Sequence, residues 1–157
     1  MRTMPPPHRA QQRGVAIVEF ALILPLLLLL SFITFEFGRA FYQYNVLVKS
    51  ARDAVRFLST QTPGQGVAVS KNLMVYGNLA GTGTPQVVGL TLSQAKDPVW
   101  SLAGSDPVIN TVTVRLAGCG NSAPPCYKFT PIISSAFGLT FAEINFADIT
   151  ATMRAPL

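Results

Sequence analysis

Arg13-Gly14-Val15-Ala16-Ile17-Val18-Glu19-Phe20-Ala21-Leu22-Ile23-Leu24-Pro25-Leu26-Leu27-Leu28-Leu29-Leu30 is the stretch that decides the fold. A basic, polar tail ends at a glycine, and an acid follows five residues later, inside a segment long enough to span a bilayer. A charged side chain costs roughly 2.5–3.5 kcal/mol at the centre of a membrane helix on insertion scales, and less near an end. Something must therefore compensate for Glu19, and association with other subunits would do so.

Working outward, the apolar run extends from about Val15 to Phe37. At 1.5 Å per residue this is about 34 Å, enough to cross a 30 Å hydrocarbon core with some tilt. Arg2, Arg9 and Arg13 precede it with no acid among them. The positive-inside rule then puts the N-terminus in the cytoplasm and residues 60–157 outside it. Arg39, Lys49, Arg52 and Arg56 follow the span and weaken that asymmetry. The competing reading is a secretory signal peptide, but the apolar run is long for one, and Phe35-Glu36-Phe37-Gly38-Arg39-Ala40-Phe41 offers a poor small-x-small cleavage site.

The overall charge of +5 says less than its placement: without residues 1–14, nine basic residues face seven acidic ones. No basic stripe marks a nucleic-acid-binding face. Residues 1–13, with Pro5-Pro6-Pro7, have no core-forming pattern and are expected to be disordered.

Past the span the pattern becomes two-faced. Tyr44, Leu47, Val48, Ala51, Val55 and Leu58 recur at helical spacing, with Asn45, Lys49, Arg52, Asp53 and Arg56 opposite. No proline or glycine interrupts Arg39 to Thr62, so one helix from about Val15 to Ser59 is expected. Pro25 should kink it, Gly38 is a second weak point, and Thr62-Pro63-Gly64-Gln65-Gly66 ends it. Glu36 and Arg39, three residues apart where the span meets water, can pair and mark the membrane boundary. A contact to a neighbouring subunit is the alternative. Phe32, Phe35, Phe37, Phe41, Tyr42 and Tyr44 cluster at the same level as an aromatic belt, a placement also compatible with a seam between subunits.

The rest reads as a small domain. Val67 to Leu79 suggests a short helix, Gln86 to Leu92 a strand or extended loop, and Val108 to Leu116 the clearest strand. Tyr127 to Ile133 should be extended near an edge around Pro131. Ala142 to Met153 should form a last strand bent near Phe146-Ala147, with Ile149, Ala151 and Met153 on one face. So small a sheet makes a marginal core, and the apolar stripe of the long helix supplies the missing half. The expected fold is α+β and pilin-like: a long N-terminal helix, transmembrane in its first half and amphipathic in its second, packed on a small antiparallel sheet. The expected divisions are a leader at 1–14, a transmembrane helix at 15–37, its amphipathic continuation at 38–60, and an extracytoplasmic domain at 61–157.

Cys119 and Cys126 are the only cysteines. In an oxidising compartment they read as a local disulfide, worth roughly 2–3 kcal/mol on the chain-entropy model. Two free thiols are the alternative, and a metal site would want more ligands than this chain offers. His8 is in the tail, and Asp97, Asp106, Glu143 and Asp148 are scattered, so no nucleophile–base pair can be nominated. No enzymatic activity and no cofactor is expected.

Gly14 and Glu19 carry the sharper chemistry. A protease cutting at a membrane surface needs a residue without bulk, on unwound backbone beside a helix start. A cut after Gly14 would leave Val15 as a charged N-terminus on a very apolar helix. Its ammonium and the Glu19 carboxylate would both face burial, and pairing between neighbouring subunits would relieve both and set their stagger. The alternatives are an unprocessed single-pass anchor carrying an extracytoplasmic binding domain, and a secreted domain.

Gly14-Val15-Ala16-Ile17-Val18-Glu19-Phe20 resembles the class III prepilin signal of type IV pilin-like proteins. More narrowly, Arg13-Gly14, Ala16, Val18-Glu19-Phe20-Ala21 and Pro25-Leu26-Leu27, followed by Glu36-Phe37-Gly38-Arg39-Ala40 and Ala51-Arg52-Asp53-Ala54-Val55-Arg56, resemble the TadE-like pseudopilins of the Tad (Flp) pilus system. The closing Ala151-Thr152-Met153-Arg154 is also similar to that family's end. The resemblance implies cleavage between Gly14 and Val15 by a prepilin peptidase, with Glu19 and Phe20 serving assembly and recognition. It further implies partnership with other pilins and pseudopilins, the Tad inner-membrane platform with its ATPase, the secretin and membrane lipid, but not with nucleic acid. The setting would be the bacterial inner membrane or a pilus built from it, and the role pilus assembly, surface adhesion and biofilm formation.

Overall fold

A computed structural model describes residues 12–136 and 138–155. The expected disorder of residues 1–13, with Arg2, Pro5-Pro6-Pro7, His8 and Arg9, falls largely outside them. One α-helix, α1, runs unbroken over Gln12–Leu58. It begins before Gly14 and continues through both Pro25 and Gly38. Gly14 therefore lies on helical rather than unwound backbone, as expected of a residue followed by a long run of helix-compatible side chains. Within the apolar half, Ser31 and Thr34 donate their hydroxyls to the carbonyls of Leu27 and Leu30 at 2.8 Å. Such i−4 bonding satisfies a hydroxyl inside an apolar segment.

A turn at 59–66 leads into α2, Val67–Tyr76, which packs on α1 through Met74 and Val75. Its C-terminus closes on Gly77 in the left-handed conformation, whose N–H donates to the Leu73 carbonyl, an arrangement that favours glycine. The stretch 86–92 forms turns rather than a strand, yet Val87 and Leu90 are buried.

The main sheet has the order β1-β2-β7, with β1 Val99–Ala103, β2 Ile109–Leu116 and β7 Ile149–Arg154, all antiparallel. The register pairs Trp100 with Val112, Val112 with Met153 and Val114 with Ala151. Four short strands form two further antiparallel pairs, β3 Lys128–Phe129 with β6 Ile144–Asn145 and β4 Ser135–Ala136 with β5 Leu139–Thr140. The bend expected near Phe146-Ala147 is a full break between β6 and β7. Strand β1 has no sequence forecast, because Val99 and Leu102 stay exposed and alternation is absent.

The core lies between α1, α2 and the inner face of this sheet. Leu47, Ala51, Ala54, Val55 and Leu58 of α1 meet Val112, Val114, Leu116, Ile149 and Tyr127. The buried face of α1 is turned part of a revolution from the forecast stripe: Ala40, Gln43, Ser50 and Ala54 are buried, whereas Tyr44 is exposed and Val48 half-buried. Ala40, Ser50, Ala51 and Ala54 are small, so the domain can approach the helix backbone closely. Gln43 is admitted because its Oε1 accepts from the Tyr127 hydroxyl at 2.7 Å.

Cys119 and Cys126 form a disulfide. The carboxylate of Asp148 holds the start of that loop, accepting from the Gly118 N–H at 2.9 Å and from the Ser122 hydroxyl at 2.9 Å. A Cβ on Gly118 would overlap the backbone carbonyl oxygens of Phe146 and Ala147. Gly118→Ala should destabilise the domain by about 1–3 kcal/mol, as overpacking against backbone does; thermal denaturation of the full chain in detergent checks it. Burial pushes the Tyr127 hydroxyl up to about 12, against a smaller opposite pull from Arg39. The unfolded chain then loses this proton first, so stability present below pH 10 should fall as pH rises from about 10 to 12. Tyr127→Phe should remove that component of the alkaline unfolding profile.

Candidate assembly site

Two of the three acids of helix α1, Glu19 and Glu36, stand in opposite circumstances. Glu19 lies on its apolar half among the exposed side chains of Val15, Val18, Phe20 and Leu22. Among the described residues it has no hydrogen-bond or ion-pair partner. Gly14, Val15, Val18, Glu19 and Leu22 line one shallow hollow, so the two residues flanking the expected cut and the expected assembly acid sit together on one side of the helix. A Cβ on Gly14 would meet nothing within 4 Å, so nothing in the fold requires glycine there.

Glu36 is the reverse case. It is 5 % exposed and fully engaged. One oxygen accepts from the Ile132 and Ile133 backbone N–H groups at 3.0 and 3.1 Å. The other accepts from Arg39 Nη2 at 2.8 Å and Nε at 3.1 Å. Arg39 also donates to the Thr130 carbonyl at 2.7 Å, and its guanidinium lies 4.3 Å over the Phe129 ring. The Glu36–Arg39 pair is thus also a seat that fastens segment 129–133 to the helix. The i,i+3 spacing showed the pairing but gave no sign of the seat, because its other half is main-chain N–H and C=O some ninety residues away.

The aromatic cluster divides in the same region. Phe35, Phe37, Phe41 and Tyr42 are exposed, whereas Phe129 and Tyr127 are buried and lie beside Phe146. Tyr44 meets Phe146 edge-on at 5.4 Å. The exposed rings ring the helix where it leaves its apolar half and enters the domain.

Among the described residues α1 is the one helix long and apolar enough to cross a membrane. Residues 14–56 match the family model described as TadE-like protein. The N-terminal segment is TadE-like. The match covers the apolar span, Glu19, the Glu36–Arg39 pair and most of the buried face of α1, and it points to a role related to the Tad pilus. No curated protein and no solved structure matches this chain. The α2 and sheet domain beyond residue 56 therefore rests on its own physics.

Arg39→Ala would leave the Glu36 carboxylate buried without its counter-ion. Breaking one side of a buried pair costs about 3–5 kcal/mol. Limited proteolysis should then cut the 130–142 segment faster than in the native chain, while Glu36→Gln, which keeps an acceptor for the two N–H groups, should be cut at an intermediate rate.

Proposed function

We infer that this chain is a minor pseudopilin of a Tad-type pilus, anchored by α1 in the inner membrane with its N-terminus in the cytoplasm and its domain outside. Prepilin peptidase cuts between Gly14 and Val15, and the mature subunit acts with other pilins and the Tad platform in pilus assembly, and through it in adhesion and biofilm formation. The observation that carries this reading is Glu19: an acid on the apolar half of α1, unpaired within the described fold and next to the glycine where a cut would create a free amine. An ordinary anchor has no use for a carboxylate there, since each copy would bear its cost alone. Neighbouring copies can pair that carboxylate with the new Val15 ammonium, which lowers the cost for both groups and fixes how far one helix is shifted against the next.

The rest of α1 supports the same reading. Leu22, Leu26 and Leu30 are exposed, as befits a helix that faces lipid before assembly and other helices after it. The basic leader would stay on the cytoplasmic side of the cut, consistent with the positive-inside rule.

Intact mass of the membrane-extracted protein tests the cut. A chain beginning at Val15 is expected, and one beginning at Met1 favours an unprocessed anchor instead. Gly14→Phe should leave the leader attached, with no loss of folding because that position is open. Glu19→Ala should give a cut, folded chain with strongly reduced piliation; normal piliation in that variant would remove the role assigned to the acid.

A further inference from the structure

The segment between β3 and β6 descends along α1 toward its apolar half and then returns. Phe129 lies under the Arg39 guanidinium, and the Thr130 carbonyl accepts from the same side chain. Ile132 and Ile133 then sit on Glu36, almost one turn nearer the N-terminus. On the way back, Thr140, Phe141 and Ala142 line a hollow of about 210 Å³ together with Ile33, a further turn down. Ile144 is already back beside Ala40 and Tyr44. From Arg39 to Ile33 is about 9 Å of helix at 1.5 Å per residue. Phe32 and Ile33 are half-buried while Thr34 and Phe35 are exposed, so the segment covers one side of α1 only. The β4–β5 hairpin, which joins the two legs, stands at the lower end of the domain, beside the last turns of the span.

This end of the domain suits apolar surroundings. Residues 129–142 contain no charged side chain, and Lys128 and Glu143, which bracket them, pair with each other at 2.8 Å. Ile132 is 71 % exposed and Leu139 52 %. Pairing of Ser135 with Thr140 and Ala136 with Leu139, and the bond from the Phe141 N–H to the Ser134 carbonyl at 3.0 Å, use part of the hairpin's main-chain hydrogen bonding.

Single exposed apolar side chains are ordinary on a protein surface. What matters here is their height. With α1 across a bilayer from about Val15 to Phe37, Ile33 and Glu36 fall in the last turn or so of the span. The polar layer on each side of the hydrocarbon is about 5–7 Å thick. A segment fixed to Glu36 and reaching Ile33 cannot stand clear of that layer.

We propose that residues 132–141 are a second membrane contact, with Ile132 and Leu139 resting in the interfacial layer beside α1. This needs only that α1 crosses the bilayer, not that the chain is cut or assembles. The occupant of the patch is lipid, because the Glu36 seat fixes its depth and the hairpin offers no charge for an ionic contact with a protein partner. The contact is shallow. Irregular backbone is not lipid-exposed within the hydrocarbon, whereas interfacial elements bury an apolar face by about 5–10 Å. Two contacts, the span and the hairpin, restrict how the domain can tilt on the membrane, which one helix alone would leave free.

Nitroxide labels in the full chain, reconstituted in phosphatidylcholine vesicles, test the proposal. They are introduced one at a time through Ile132→Cys, Leu139→Cys, Leu26→Cys and Leu102→Cys. All four positions are exposed, and Cys119 and Cys126 are bonded to each other. Collision with oxygen, which concentrates in lipid, and with a water-soluble nickel chelate reads the depth of each label. Leu26 should favour oxygen and Leu102, on the β1 edge, nickel. Ile132 and Leu139 should show an oxygen-to-nickel ratio several-fold above that of Leu102. A ratio no higher than that of Leu102 at either position overturns the proposal. So does loss of collisions with both reagents, because protein would then cover the hairpin. A Leu26 label that favours nickel overturns the membrane anchor itself, which tells the two failures apart.

Discussion

The carboxylate of Glu36 holds two chemically different halves of one helix to a single task. N-terminal to it, α1 is an apolar rod whose described side chains are mostly exposed; C-terminal to it, α1 is half of a protein core. The transition is abrupt because Glu36 and Arg39 gather backbone from Thr130, Ile132 and Ile133 onto the helix at that level. A buried charge is weak ground for stability in general, since its desolvation offsets much of the Coulomb attraction. Here every oxygen has a partner, and the geometry fixes where the domain sits along the rod. Without that seat the Phe129–Tyr127–Phe146 cluster would have no fixed distance from the apolar half of α1.

Two acids on one helix thus have opposite roles. Glu36 is satisfied within the chain and sets internal architecture. Glu19 is left without a partner in the described fold, and its need is met only by another molecule in the pseudopilin account. The separation matters because a rod whose acids were all paired internally would have little reason to assemble, and one with none paired would not hold its domain at a defined height.

Much of this was legible in the sequence. Apolar composition over more than twenty residues sets the first half of α1, and the absence of helix breakers from Arg39 to Leu58 sets its continuity. Alternation in Val112, Val114 and Leu116 marked β2, and the cysteine spacing marked the disulfide. What escaped was tertiary. Gln43 and Ser50 are polar residues on a buried face; the Tyr127 hydroxyl explains the first and a bond to the Leu47 carbonyl the second, and neither is visible in a hydropathy pattern. Strand β1 is held by pairing with β2 rather than by its own alternation. Asp148 looked like one of several scattered acids, although it organises the start of the cysteine loop. The seat at Glu36 depends on backbone groups that carry no residue signature, so only its Arg39 half could be read.

Hydrogen exchange of the full chain in lipid, resolved at single amides, tests most directly whether helix and domain are fastened together at Glu36. Ile132 and Ile133 lie in an irregular segment outside any strand, where amides ordinarily exchange fast. The account predicts that both are protected about as strongly as the amides of the buried part of α1. Rapid exchange at 132 and 133 beside a slowly exchanging helix would contradict it, because the domain would then ride loosely on the rod.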